Sequence, residues 1–310
     1  MNKQIEGLVN NIERVIIGKR DTIVLVITAM LTNGHVLIED VPGVGKTQLV
    51  SALARSVDGK FNRIQLTPDI MPSDIMGYSM INPTNGELEY RTGAAFCNFL
   101  LADEINRASS KAQSSLLEIM EEFQVSVDGS TYPLPIPFMT LATQNPVETF
   151  GTYHLPEAQM DRFIMRLSMG YPDFNEEISI LSRDAGVNKA KEIDAVMSLE
   201  EVVKLRMEAT KVFVHEKLKE YILNIVTATR NSEAITLGVS PRGSISLYNA
   251  SKSLAFIDGR DYVTPEDIKR LAVPVLAHRI ILSSKGRASY ASKDECIKDI
   301  LSGISVPVTQ

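Results

Sequence analysis

The amino-acid sequence predicts an α/β protein in which a parallel-sheet domain is followed by an all-helical domain. The first observation is an apolar run from Val36 that enters a glycine-containing turn and ends in Lys46 and Thr47, with a helical pattern directly after it. The second is the alternation of short apolar runs with amphipathic helices in the first half of the chain, which is typical of a parallel sheet. The third is that only helical patterns follow. We therefore predict two domains, 1–171 and 172–310.

The composition limits the class of protein. The chain has 310 residues, of which 44% are hydrophobic, and a formal net charge of −6. This length allows two domains with a sizeable core, and no apolar run approaches the roughly 18 residues of a membrane helix. The first residues carry no secretory pattern, and the two cysteines are far apart in the sequence. We therefore expect a cytoplasmic protein without a membrane span. The acidic balance argues against nucleic acid as the main partner.

The glycine-containing turn has the residues of a phosphate-binding loop. Gly43 and Gly45 allow backbone N–H groups to surround phosphate oxygens, and the start of the following helix adds partial positive charge. Lys46 would neutralise the β- and γ-phosphates, and the Thr47 hydroxyl would hold Mg²⁺. Asp40 stands where the G-x-x-x-x-G-K-[ST] pattern has its first glycine. The alternative is a Gly/Pro turn that happens to precede a lysine, and the strand–helix context favours the phosphate loop.

Hydrophobic spacing and turn residues place the other elements of the first domain. Helices are predicted at 5–17, 21–31, 48–57, 71–76 and 110–123. Strands are predicted from Val36 and at 61–66, 96–102, 138–142 and 163–167. Two turn signals, Asn85–Gly86 and Asp128–Gly129, predict hairpins with arms at 78–81 and 87–90 and at 125–127 and 132–134.

Helix boundaries define the second domain. Residues 198–201 and 264–267 match capping boxes, in which a hydroxyl side chain and an acidic side chain three residues later bond each other's backbone N–H groups. Helices are predicted at 215–230 and 241–255. Pro274 is expected to kink or divide the helical stretch at 265–282, because proline removes a helical hydrogen bond.

Polar residues follow two further apolar strands, and parallel strands bring such ends to one edge of a sheet. Asp103 and Glu104 follow one strand and Asn145 follows another. Asp103 is suited to orient Mg²⁺ directly or through a water. Glu104 can polarise an attacking water, and Asn145 can hydrogen-bond that water and the γ-phosphate. The alternatives are acidic helix caps for the two carboxylates and a simple Asn–Pro turn for Asn145.

Two arginines lie far along the chain from the phosphate loop. An arginine supplied by another subunit can raise the rate of phosphoryl transfer by about 10³–10⁵, and Arg162 is a candidate. The alternative is a surface ion pair with Asp161 or Glu157, and the sequence alone does not decide between them. Arg242 follows Ser240 and Pro241, which suit a helix start. A cation in the first turn is disfavoured by the helix dipole unless an anion such as phosphate is near. The alternative is an ordinary exposed arginine.

Together these stretches resemble the MoxR family of AAA+ ATPases over nearly the whole chain. The resemblance is carried by residues 39–47, 101–108, 142–146, 155–163 and 239–242. It implies a P-loop AAA+ parallel-sheet domain with two hairpin insertions, followed by an all-α lid domain. Asp40 is usual in this family, whereas His154 stands where proline is expected.

The resemblance also implies roles for single residues. These are Walker A at 43–47, Walker B at Asp103 and Glu104, sensor 1 at Asn145, an arginine finger at Arg162, sensor 2 at Arg242, and an adenine contact at Ile17 and Gly18. The expected cofactors are ATP and Mg²⁺. The predicted catalytic residues are therefore Glu104, Asn145, Arg162 and Arg242, and the Mg²⁺ ligands are Thr47 and Asp103. The predicted nucleotide-binding residues are Ile17, Gly18, Pro42, Gly43, Val44, Gly45, Lys46, Thr47, Gln48 and Asp103.

Members of this family are ring-forming, usually hexameric, chaperone-like ATPases. They act on protein complexes, often with partners that bear von Willebrand factor A domains, and some support metal-cofactor insertion. The resemblance therefore implies a homo-oligomer with protein clients. We expect ATP between the sheet domain and the lid, with Arg242 reporting the nucleotide to the lid and Arg162 reaching the neighbouring subunit's γ-phosphate. The alternatives are a DNA-linked AAA+ motor or transcription activator, and a nucleotide-switched scaffold with little turnover.

Overall fold

The computed structural model describes residues 1–84, 86–145, 155–182, 190 and 192–307. The turn residue Asn85 and the predicted features at Pro146 and His154 lie outside the described residues. The strands, numbered in chain order, are β1 (Val36–Glu39), β2 (Phe61–Gln65), β3 (Gly77–Ile81), β4 (Leu88–Thr92), β5 (Phe99–Asp103), β6 (Gln124–Val127), β7 (Ser130–Pro133), β8 (Met139–Gln144), β9 (Met165–Leu167), β10 (Ile235–Leu237) and β11 (Ile281–Leu282).

The helices in the described part of the chain alternate with the strands in the first domain and dominate the second. They are α1 (Lys3–Glu13), α2 (Arg20–Leu31), α3 (Lys46–Ser56), α4 (Pro72–Met76), α5 (Ser110–Glu122), α6 (Glu157–Met160), α7 (Phe174–Ser182), α8 (Leu199–Ala209), α9 (Glu216–Asn231), α10 (Pro241–Ile257), α11 (Pro265–Leu276), α12 (Ser284–Ser289) and α13 (Lys293–Gly303). None of these helices is both long and apolar enough to span a bilayer.

A five-stranded parallel sheet in the order β2–β5–β8–β1–β9 forms the centre of the first domain. Alternate strand residues face opposite sides. Leu37 and Leu100 pack with the apolar residues of α5, whereas Ile38 and Leu101 pack with those of α1, α2 and α3. The predicted parallel sheet is therefore confirmed. Its carboxyl edge carries the ends of β1, β5 and β8 together, which is the arrangement that a ligand site needs.

Two antiparallel hairpins, β3–β4 and β6–β7, project from this domain as predicted. The arms of the first hairpin begin and end within two residues of the predicted positions. Tyr90 and Tyr132 stack with their ring centroids 4.0 Å apart, so the two hairpins pack against each other. Burial raises the pKa of Tyr90 to about 12.

The lid consists of helices packed on the β9 side of the sheet. A single apolar core continues from α1, α2 and α3 into α9, α10 and α11. The lid is helical as predicted, but it also contains an antiparallel ribbon of β10 and β11, which the sequence pattern did not reveal. Each of these strands is at most three residues long, which is too short for a period of two to be recognised. Pro274 lies inside α11, and the helix ends two residues later, at Leu276.

Candidate nucleotide site

The turn after β1 has the backbone of an anion-binding loop. Gly43 and Gly45 adopt positive φ angles of 88° and 92°, which glycine tolerates without strain. α3 begins directly after them at Lys46, so its free N–H groups face the loop. A Cβ added at Gly43 would meet no atom within 4 Å, so there is open space beside the backbone. The Lys46 ammonium donates a hydrogen bond to the Asp40 carbonyl at 3.0 Å and spans the loop.

Asp40 has a structural role that explains why glycine is not needed at this position. Its carboxylate accepts hydrogen bonds from the backbone N–H groups of Met169 at 2.6 Å and Gly170 at 2.7 Å, and from the Ser168 hydroxyl at 3.1 Å. The same side chain accepts from the N–H of Val41 at 2.9 Å. The carboxylate therefore ties the phosphate loop to the segment that follows β9.

A cleft of about 320 Å³ opens at the carboxyl edge of the sheet. Nine of the predicted site residues line it, namely Pro42, Gly43, Gly45, Lys46, Thr47, Gln48, Asp103, Glu104 and Asn145. The Gln48 side-chain oxygen is buried without a hydrogen-bond partner, and such a group is costly unless a ligand or water satisfies it. The glycine loop, the lysine, the open space and this unpaired oxygen fit a bound nucleotide. The Thr47 hydroxyl and the Asp103 carboxylate are oxygen ligands of the kind that Mg²⁺ prefers.

Asp103 is held in place from two sides. Its Oδ1 accepts a hydrogen bond from the Thr143 hydroxyl at 3.0 Å, and its Oδ2 accepts one from Arg63 Nε at 2.6 Å. The Thr143 hydroxyl oxygen in turn accepts from the backbone N–H of Glu104 at 3.0 Å. The ends of β5 and β8 are thus joined by Thr143. A cation that binds Asp103 would compete with the Arg63 guanidinium for one of the two oxygens.

Glu104 directly follows Asp103 at the end of β5, and Asn145 directly follows β8. Glu104 has a left-handed backbone, with φ 57° and ψ 51°, which is uncommon for a residue with a side chain and often marks a functional site. Its carboxylate pairs with Arg107 Nη1 at 2.9 Å. Asn145 is 8% exposed and lines the same cleft. The predicted water-activating and water-orienting groups therefore do come together beside the phosphate loop.

Sequence reasoning missed three residues that line the cleft, namely Arg63, Gln65 and Thr143. Gln65 pairs in register with Asp103, because β2 neighbours β5 in parallel. Both β2 and β8 end in polar residues, and this sequence signal could have indicated these three residues. Without the strand order, however, nothing in the sequence indicated that β2 ends beside Asp103.

Three other predicted residues lie near the loop without lining the cleft. Val44 packs against the apolar core. A Cβ added at Gly45 would lie 3.9 Å from Ile16 Cδ1, so the segment that continues to Ile17 and Gly18 is next to the loop. Gly18 has a φ of 70°, and the Glu176 side chain occupies the space where a Cβ would stand. The assignment of adenine to Ile17 and Gly18 stays a prediction.

The two candidate arginines lie together in a second cleft, of about 220 Å³. Both pair with one carboxylate, since Arg162 Nη2 is 3.1 Å from Glu121 Oε2 and Arg242 Nη1 is 3.2 Å from Glu121 Oε1. The alternative raised for Arg162 was an ion pair with Asp161 or Glu157, and the structure shows an ion pair with Glu121 instead. Thr32, Asn33, Gly34 and His35 also line this cleft, which places it at the amino end of β1.

The phosphate loop follows the carboxyl end of β1, so the strand separates the two clefts by a distance on the order of 10 Å. We expected ATP between the sheet domain and the lid, with Arg242 reporting the nucleotide to the lid. In the described part of the chain the residues that line the phosphate cleft all belong to the sheet domain, and Arg242 lines the second cleft instead, so both expectations stay predictions. Ser240, the N-cap of α10, donates a hydrogen bond to Asp161, and this bond holds Arg242 beside Arg162.

His35 is buried below the arginine cleft in a neutral state. Its Nδ1 accepts from the N–H of Thr140 at 2.9 Å, which leaves Nε2–H to donate to the Met120 carbonyl at 2.7 Å. Burial lowers the pKa of His35 to about 4, and the positive charges of Arg206 and Arg242 act in the same direction.

Comparison with known proteins agrees with this architecture. The family described as "ATPase family associated with various cellular activities (AAA)" matches residues 35–165, and the AAA lid domain matches residues 227–300. The chain is 41% identical to Chaperone MoxR1 of Mycobacterium tuberculosis over 98% of this chain and 82% of that protein. The chain belongs to the MoxR family of AAA+ ATPases. This membership accounts for the parallel sheet, the phosphate loop and the helical lid.

Two further relatives of this MoxR-family chain cover nearly all of it. YeaC of Bacillus subtilis, an uncharacterized protein, is 48% identical over 97% of this chain and 94% of its own length. The crystal structure of an ATPase candidate from Cytophaga hutchinsonii is 40% identical, covers 99% of this chain and 96% of its own, and superposes with a TM-score of 0.91. The family assignment implies nucleotide binding. The division of the chain at 171/172 stays a prediction.

Proposed function

We propose that this MoxR-family protein hydrolyses ATP with Mg²⁺ and uses the cycle to remodel or mature protein complexes. The observation that carries the proposal is the convergence of the phosphate loop, Asp103, Glu104 and Asn145 in one cleft. A scaffold that only binds nucleotide has no need for a water-activating carboxylate next to a polar amide. The acidic net charge of −6 also favours protein clients over nucleic acid.

In the proposed mechanism the chain supplies positioning and charge. Backbone N–H groups of the loop and the Lys46 ammonium hold the β- and γ-phosphates. Thr47 and Asp103 would hold Mg²⁺, which neutralises charge that develops on the phosphate oxygens. Glu104 accepts the proton of the attacking water and Asn145 orients that water. The Glu104–Arg107 pair holds the carboxylate until the water and the nucleotide are in place.

The arginines complete the site from a neighbouring subunit. Arg162 and Arg242 are at the amino end of β1, whereas the phosphates of the same chain would lie at its carboxyl end. In a head-to-tail ring, the arginine cleft of one copy would face the phosphate cleft of the next. Arg162 and Arg242 would then exchange Glu121 for the neighbour's phosphates. The ring is expected to be hexameric, and a von Willebrand factor A domain protein is a candidate partner.

Client remodelling follows from this arrangement, because hydrolysis at a site shared by two subunits changes the angle between them. The name Chaperone MoxR1, carried by a relative over 98% of this chain, supports a chaperone-like role. The specific client is to be found by capture with a Glu104→Gln variant, which should bind ATP and keep its client bound.

The decisive experiment measures phosphate release by three samples. Glu104→Gln should bind Mg·ATP but hydrolyse it about 10²–10⁴-fold more slowly than the wild type. Arg162→Ala should also lose turnover, and a mixture of the two variants should recover part of it, because the intact arginines of one serve the intact site of the other. Wild-type turnover by Glu104→Gln would remove that residue from its role. A mixture that never recovers turnover at any ratio would count against sharing of the site between subunits.

A further inference from the structure

One carboxylate connects the two segments that carry the arginines. Asp161 directly precedes Arg162, and its Oδ2 accepts a hydrogen bond from the hydroxyl of Ser240 at 2.8 Å. Ser240 is the N-cap of α10, and Arg242 is the second residue of that helix. The turn after α6 in the sheet domain and the first turn of α10 in the lid are thus bonded at Asp161.

A buried arginine fixes this carboxylate in turn. The Arg279 side chain is 2% exposed, and its Nε donates to Asp161 Oδ1 at 2.6 Å. The same guanidinium donates to the carbonyl oxygens of Phe163 at 2.8 Å and Ile164 at 3.2 Å. The guanidinium also donates to the Ser246 hydroxyl in α10 at 3.2 Å. Arg279 therefore holds both the 161–164 segment and α10, and a planar guanidinium does so in a defined geometry.

The packing of α10 leaves space for this arginine. A Cβ added at Gly243 would collide with Val239 Cγ1 and lie 3.0 Å from Arg279 Cδ, so glycine allows the arginine stem to pass the helix. Gly243 N–H is also the group that Ser240 caps, at 3.3 Å. The start of α10, the buried arginine and Asp161 consequently form one packed unit.

This unit determines where the two catalytic candidates point. Arg162 and Arg242 reach the two oxygens of a single carboxylate, at 3.1 Å and 3.2 Å, although they belong to different domains of the chain. Such convergence requires the two backbone segments to be fixed relative to each other. The bonds at Asp161 are what fixes them.

We propose that Asp161, held by Arg279 and bonded to Ser240, is a positioning residue that presents Arg162 and Arg242 as a pair to the nucleotide of the neighbouring subunit. This inference rests on the proposed function, because it assumes that the arginines act in the neighbour's site. Displacement of reacting groups by about 1 Å can cost about 10²-fold in rate. Loss of the Asp161 carboxylate should therefore lower turnover strongly without touching the phosphate cleft of the same chain.

The test uses two variants and a matched control. Asp161→Asn keeps the size of the side chain but removes the charge that faces Arg279. Ser240→Gly removes the hydroxyl that bonds Asp161 and keeps a residue that is tolerated at an N-cap. Ser198→Gly removes an N-cap hydroxyl of the same kind from α8, where it contacts neither arginine segment. Circular dichroism confirms that each variant is folded before turnover and Mg·ATP affinity are measured.

We expect Asp161→Asn to lower kcat by about 10²-fold, Ser240→Gly to lower it less, and Ser198→Gly to leave it unchanged. The affinity for Mg·ATP should stay within about twofold in all three, since the phosphate cleft is intact. Each of the first two variants, mixed with Glu104→Gln subunits, should recover turnover as Arg162→Ala does. A defect that is only structural would not be recovered in this way.

The outcomes distinguish failure of the positioning role of Asp161 from failure of the proposed function. If the Arg162→Ala mixture recovers turnover but folded Asp161→Asn turns over like the wild type, the positioning role is wrong and the proposed function stands. The same conclusion follows if the Asp161→Asn defect is not recovered by subunits that do recover Arg162→Ala. If no mixture containing Arg162→Ala recovers turnover, sharing of the site itself is refuted.

Discussion

Replacing Asp40 by glycine would restore the first glycine of the G-x-x-x-x-G-K-[ST] pattern, yet we expect this change to destabilise the protein. Asp40 does not adopt a left-handed backbone, so the loop gains no freedom that it needs from glycine. The change instead removes the carboxylate that accepts from Met169 N–H, Gly170 N–H and the Ser168 hydroxyl. The phosphate loop would then lose its connection to the segment after β9.

The magnitude follows from the donors that lose their acceptor. Met169 is buried, so its N–H would stay unpaired at a cost of about 1–3 kcal/mol. Gly170 is half-buried and Ser168 is exposed, so water can replace most of what they lose, and together they add about 1 kcal/mol. Glycine adds about 0.5–1 kcal/mol through the greater freedom of the unfolded chain. The free energy of unfolding should fall by about 2.5–5 kcal/mol.

Urea unfolding at pH 7, followed by circular dichroism, measures this change in the free energy of unfolding. Ser168→Ala is the matched control, because it removes only one exposed hydroxyl and should cost less than about 1 kcal/mol. An Asp40→Gly protein that is as stable as the wild type, or more stable, would refute the structural role assigned to the carboxylate. It would also mean that the glycine of the general pattern is interchangeable with aspartate here.

Three other predictions concern single residues. His35 is neutral in the folded protein, with a pKa of about 4 against about 6.5 when unfolded, so its stabilising contribution is present above pH 6.5 and is lost as the pH falls towards 4. Wild-type protein should therefore lose about 2 kcal/mol more than His35→Gln in urea unfolding between pH 7 and pH 5. Arg63→Ala frees one oxygen of Asp103, so the Mg²⁺ concentration needed for binding of a fluorescent ATP analogue should fall about 2–5-fold; an unchanged or higher midpoint contradicts this. Gly243→Ala should lower the midpoint of urea unfolding, because its Cβ collides with Val239, although alanine stabilises most helices; a raised midpoint would contradict the packing described here.

The position of the central site followed from the sequence because parallel strands have a simple geometry. Each of the strands that lead to Lys46, Asp103 and Asn145 is a short apolar run with a polar end. All such ends meet at the carboxyl edge of the sheet, whatever the order of the strands. Periodicity and one turn motif were therefore sufficient to predict which of these residues share a cleft.

Neighbour relations between strands were not available from the same pattern. Arg63 and Thr143 contact Asp103 because β2 and β8 lie on either side of β5. Each of the two contacts joins residues 40 positions apart in the chain, and no local signal reports such pairings. Short elements were missed for a different reason, since β10 and β11 are too short to show an alternating pattern and are fixed by tertiary packing.

The placement of Arg242 shows most clearly what a motif leaves undetermined. A serine, a proline and an arginine at a helix start predict a cation near an anion. They do not indicate whether that anion is bound to the same chain or to another copy. That choice depends on how the lid is attached to the sheet domain, and the attachment runs through the Arg279–Asp161 bond between residues 118 positions apart. The bond holds Arg242 at the amino end of β1, on the far side of the strand from the phosphate loop of the same chain. In the proposed function, a cation in that place meets a triphosphate that is bound to another copy. If that proposal is correct, the orientation of the lid, rather than the identity of the arginine, makes the ATPase dependent on assembly.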